Sequence, residues 1–139
     1  MVATGALLIA AGAVTTSTVA SARSPVYIND MFRRNLQHPR TLSLWASDGL
    51  IHLRWSHWGS KLASATGQIT EHGLGVSGPR CAGKRGREGY GWRCFAVRVH
   101  ASGIRACGAH RVYTSVRYLA FGHWQAARFH GNTCSVTAG

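Results

Sequence analysis

Acidic residues are scarce in this chain. Four Asp and Glu stand against 16 Lys and Arg in 139 residues, a formal charge of +12 with eight His held neutral. Asp30, Asp48, Glu71 and Glu88 are too few and too scattered for the facing carboxylates of a glycosidase. Lysine is rarer still, with 2 against 14 Arg. No apolar run reaches transmembrane length, which argues against a spanning helix. No C-x-x-C pair, H-E-x-x-H or G-x-S-x-G occurs. Ribbon-type zinc, zincin chemistry and a serine elbow therefore lack their usual marks. We expect no metal and no cofactor. Charged residues make up only 14% and apolar ones 45%, too apolar for a wholly disordered chain. The length fits one domain.

Charge is also absent from residues 1–22. Ala6 to Val14 form a short apolar core, Thr15 to Thr18 a polar stretch, and Ala20-Ser21-Ala22 a small-x-small cleavage pattern. This reads as a secretory signal peptide cut after Ala22, although no Lys or Arg precedes its core. A buried N-terminal helix is the competing reading.

What remains, residues 23–139, carries every charged side chain and all four cysteines. Cys81, Cys94, Cys107 and Cys134 are spaced too widely for a structural zinc site. In an exported chain they predict two disulfides, with three connectivities open.

Residues 23–40 contain Arg23, Arg33, Arg34 and Arg40, bracketed by Pro25 and Pro39. They read as a basic leader arm, with one or two helical turns within Ile28 to Leu36. From Thr41 the apolar period becomes two, the mark of strands. The spacing predicts strands at Thr41–Trp45, Leu50–Trp55, Leu62–Glu71, Cys94–His100 and Arg111–Phe121. Ser47-Asp48-Gly49 predicts a hairpin turn. Ile51, Leu53 and Trp55 are expected on one face, and Gly103 and Gly122 at turns. The small residues Ala63, Ala65 and Gly67 imply a close neighbour. Residues 73–93 form a Gly- and Arg-rich loop. Residues 123–139 form a tail, pinned by Cys134, with room for one short strand. The expected fold is mainly β: a small antiparallel sandwich or barrel-like domain over residues 41–122.

Several strings carry a resemblance. They are Trp55-Ser56-His57-Trp58-Gly59, Ala63-Ser64-Ala65-Thr66-Gly67, Cys81-Ala82-Gly83 and Cys107-Gly108-Ala109-His110-Arg111-Val112-Tyr113-Thr114. In this order they resemble an uncharacterised group of small secreted actinobacterial proteins with the pattern W-x-x-W-G, A-x-A-x-G, C-A-x-G, C-x-x-x-R-x-Y-T. The match covers about residues 50–121. It implies export and a small β domain, and no activity. Cys94 and Cys134 fall outside the shared pattern. The resemblance thus implies Cys81 with Cys107 and Cys94 with Cys134, with sequential pairing as the alternative.

The chemistry-bearing residues are mostly cationic. Arg80, Lys84, Arg85, Arg87 and Arg93 interleave with Tyr90 and Trp92 in the Gly-rich loop. Guanidinium forks match phosphate and carboxylate, and aromatic rings stack on bases or sugars. The partners this suggests are extracellular polyanions: cell-wall polymer, nucleic acid or an anionic membrane surface. A merely solvated loop is the competing reading. Trp58 ends a strand, where it forms either a platform or rim packing, and Trp55 points to the core. As an alternative function, Glu71, His72 and His110 could supply the acid and base of a small secreted ribonuclease. The favoured expectation is a secreted, non-enzymatic binding or structural module.

Overall fold

Small side chains set where the sheet packs most tightly. In the computed structural model, which describes residues 20–32, 34–44, 49–73, 76–81, 91–127 and 134, Ala63, Ala65 and Ile69 are buried along one face of a ten-residue strand. Gly67 lies on the same face, where an added Cβ would sit 2.6 Å from the Ile51 carbonyl oxygen and 2.8 Å from Leu53 Cδ2. This strand, Leu62–Glu71, has the bounds that the sequence predicts. The close neighbour implied by its small residues is the strand before it.

Eight strands are described: β1 Val26–Asn29, β2 Asn35–Leu36, β3 Leu42–Ser43, β4 Gly49–Ser56, β5 Leu62–Glu71, β6 Arg93–Cys107, β7 His110–Ala120 and β8 His123–Ala126. They form one sheet in the order β2-β1-β7-β6-β5-β4-β3, with β8 added to β7. The sheet curls into a half-barrel, the mainly β architecture expected, and no helix occurs among the described residues. All pairings are antiparallel except β1 with β7. The inner face buries Leu50, Leu53, Val97, Val99, Val116 and Tyr118, together with Val26, Ile28, Leu42 and Leu44 from the first segments.

The first of these segments corrects the expected leader arm. Val26 and Ile28 are buried, and β1 pairs with the start of β7 through Val26 with Arg111 and Tyr27 with Val112. The helical turns expected within 28–36 are replaced by a strand, a tight turn and a second short strand. The Asp30 carboxylate holds that turn, accepting from the Phe32 and Arg34 amides at 3.0 and 2.9 Å and from Arg34 Nε at 2.6 Å. A local acceptor of this kind competes with helical hydrogen bonding.

Two faces shift for backbone reasons. In β4 the register slips between Ile51 and Arg54, and His52 takes φ 55°. One extra residue reverses the alternation. Leu50, Leu53 and Trp55 therefore share the inner side, and Ile51 stands opposite Gln68 instead. In β6 the strand runs through Gly103 rather than turning there. Gly103 has φ 69°, and the pairing Ser102 with Ser115 continues as Ile104 with Tyr113. The Thr114 hydroxyl donates to the Gly103 carbonyl at 2.7 Å, and a Cβ at Gly103 would meet Thr114 Oγ1 at 2.4 Å. The reversal comes at Gly108-Ala109, between Cys107 and His110.

The remaining expectations fall as follows. The first predicted strand shrinks to Leu42–Ser43, which pairs with Gly49 and Leu50 as a hairpin requires. Trp45, Ser47 and Asp48 lie outside the described residues. Phe121-Gly122 turns the chain into β8, the short strand foreseen in the tail. The disulfides are sequential, Cys81–Cys94 and Cys107–Cys134, which corrects the pairing implied by the resemblance. Register gives the reason. Cys94 and Cys107 lie at opposite ends of β6. Cys81 is held beside Cys94 by backbone bonds from Cys81 N to Trp92 O and from Cys94 N to Pro79 O.

Candidate functional site

The outer face of the sheet collects cations that are far apart in sequence. Register fixes their order. Arg54 of β4 stands opposite Thr66 of β5, Thr66 opposite Arg98 of β6, Arg98 opposite Leu119 of β7, and Leu119 opposite Trp124 of β8. Five strands at about 4.8 Å spacing make this row roughly 19 Å wide. The adjacent row reads Ser56, Ser64, His100, Arg117 and Ala126. Arg54, Arg98 and Arg117 are exposed. They point outward because their neighbours in sequence, Leu53, Val97, Val99, Val116 and Tyr118, are buried on the inner face.

The row borders an open groove of about 430 Å³, lined by Thr66, Arg98, Leu119, Phe121 and Gly122 among others. Phe121 is 51% exposed and packs edge-on against Phe95, with ring centroids 4.8 Å apart. Trp124 is 37% exposed, its ring 4.5 Å from that of His100 and 5.8 Å from the Arg117 guanidinium carbon. No carboxylate stands in either row. Two acids fall among the described residues. Asp30 is buried and bound to Arg34 at 2.5 Å, and Glu71 stands opposite Arg93 at the end of β5. The cations of the outer face thus have no internal counter-charge among the described residues.

The basic loop predicted from sequence is described only at its root. Arg80 and Arg93 are brought together by an antiparallel bridge, and Arg93 Nε donates to the Val76 carbonyl at 3.3 Å. The Cys81–Cys94 bond closes this root. Trp92 stacks on His72, with centroids 4.6 Å apart and planes 19° apart. Lys84, Arg85, Arg87 and Tyr90 lie outside the described residues. The root opens onto the half of β6 that supplies Ala96 and Arg98 to the groove.

Trp58 is packed rather than presented. Its indole N–H donates to the Val26 carbonyl at 3.1 Å, and its ring meets Trp55, Tyr113 and His38. The Tyr113 hydroxyl accepts from the Gly59 amide and donates to the Ser60 carbonyl, each at 2.9 Å. The W-x-x-W-G string therefore ties the end of β4 to β1 and β7.

The ribonuclease constellation does not assemble. Glu71 stands opposite Arg93 and His110 opposite Cys107, the two ends of the 15-residue β6. At about 3.3 Å per residue that is roughly 45 Å of strand contour. His110 packs instead against Tyr27, ring centroids 5.3 Å apart. A proton relay between these groups needs contact within hydrogen-bond reach. Among the described residues no group of three His, Cys, Asp or Glu side chains forms a metal site.

Comparison with known proteins finds no matching family model, no matching curated protein and no matching solved structure, so the resemblance rests on its motifs alone.

Proposed function

We propose that this chain is an exported, non-enzymatic module that binds anionic polymers at the cell envelope through the outer face of its sheet. The observation that carries this reading is the pair of outer rows, which hold Arg54, Arg98, Arg117 and His100 with no carboxylate. Arginine at these positions favours phosphate or carboxylate groups through its forked donors. The net charge of +12 adds long-range attraction, which salt weakens. The disulfides mark an oxidising, extracellular-type environment. No helix among the described residues is long and apolar enough to cross a membrane. Export rests on the reading of residues 1–22 as a cleaved signal peptide.

Charge reversal tests the assignment. The combined change Arg54→Glu, Arg98→Glu and Arg117→Glu is expected to abolish retention on an immobilised phosphate polymer. The matched change at exposed Arg23, Lys61 and Arg105, outside the two rows, leaves most of it. Equal loss from both sets would reduce the binding to net charge and remove the site.

A further inference from the structure

Trp124 belongs to β8, yet its ring reaches His100 on β6. These strands are separated by β7, a backbone distance of roughly 10 Å. The indole therefore lies across the sheet rather than standing off it. Arg117 and His100 brace it, and it remains 37% exposed. Phe121, 51% exposed, lines the groove beside the same turn. Trp124 thus shares the outer face with Arg54, Arg98 and Arg117, Arg117 beside it and Arg54 at the far end of the row, and Phe121 lies at the groove that this face borders.

We propose that the polymer held here is a single-stranded nucleic acid. Its phosphates meet Arg54, Arg98 and Arg117, and its bases stack on Trp124 and Phe121. This rests on the polyanion reading above and adds the class of ligand. A polyphosphate supplies charge and nothing to stack, and an anionic glycan offers an indole only the C–H face of a sugar, whereas a base offers a full conjugated face. A duplex supplies charge and hides its base faces in the stack. A single strand offers both anions and free π-faces, and such ligands are held by stacking on aromatics beside a basic track. A shallow sheet surface also suits a splayed strand better than a groove-reading contact, which needs a projecting helix or ribbon.

The test uses fluorescence anisotropy at low salt with the full chain. The probes are a labelled homopyrimidine 12-mer, an abasic strand of the same length, the corresponding duplex, and inorganic polyphosphate as competitor. The intact strand is expected to bind tighter than the abasic one by about 5- to 150-fold for each base stacked. Replacing Trp124 and Phe121 together by alanine brings the intact strand down to the abasic level, Trp124→Ala alone removes part of the difference, and Trp124→Phe keeps most of it. Equal affinity for intact and abasic strands, or preference for the duplex, overturns the proposal while sparing the polyanion reading. Binding of polyphosphate that survives loss of Arg54, Arg98 and Arg117, or no binding at all, overturns both. The intact-against-abasic comparison on the unsubstituted protein decides the matter even where Trp124→Ala fails to fold.

Discussion

The Tyr113 hydroxyl sits inside the fold with both of its hydrogen-bonding functions engaged. It accepts from Gly59 and donates to Ser60, and so clamps the β4–β5 connection onto β7. Burial raises its pKa, against the lowering influence of the Gly59 amide and of the nearby Arg111 charge. Burial raises the Tyr118 pKa as well, aided by the negative charge of Glu71. The folded state thus holds these protons more tightly than the unfolded state, whose tyrosines titrate near 10.0. Their contribution is complete below that value and is lost as pH rises from there through the higher folded-state values. Denaturant unfolding should show stability falling above pH 10 on this account, and stability that climbs there would contradict it. Tyr113→Phe strands the Gly59 amide and is expected to cost about 1–3 kcal/mol at pH 7. The variant also loses one contribution to the alkaline decline. At this scale the sequence was only partly legible. The W-x-x-W-G string announces a tryptophan pair, but nothing local reveals that Tyr113, 54 residues from Gly59, supplies the partner.

Among the elements, β5 is legible to its ends because small residues recur at every second position from Ala63 to Gly67, with Ile69 next in the series. β6 runs past its expected end at His100, because a glycine inside a strand pattern looks like a turn and only the opposite Thr114 shows otherwise. β1 was missed. Its four residues lie next to Pro25 and a run of arginines, and its parallel partner is in β7. Disulfide connectivity has the same non-local character. Cys81–Cys94 closes a sequence separation of 13, which by loop entropy contributes about 3 kcal/mol. Replacing both cysteines by serine should lower stability by about that amount and leave the outer rows of β4 to β8 intact. Peptide mapping of the unreduced protein should recover Cys81 joined to Cys94 and Cys107 joined to Cys134. A peptide joining Cys81 to Cys107 would contradict the sheet register.

For the whole molecule, the proposed function follows from how a curled sheet sorts its charge. One side is filled with alanines, valines and leucines, and the other carries the arginines. The acids are buried or displaced to strand ends where they are described. Composition suggests anions as partners, and the density of arginine points to residues 80–93. It could not show that Arg54, Arg98 and Arg117 share a face, because that depends on three successive strand registers and a bulge at His52.

The central claim is that these three side chains contact phosphate, and the salt dependence of binding tests it most directly. Affinity for a single-stranded oligonucleotide should fall linearly with salt on logarithmic axes. Replacing Arg54, Arg98 and Arg117 by alanine should flatten that line by about 2, at roughly 0.7 per lost phosphate contact. A triple variant whose line keeps the slope and affinity of the unsubstituted protein would contradict the account.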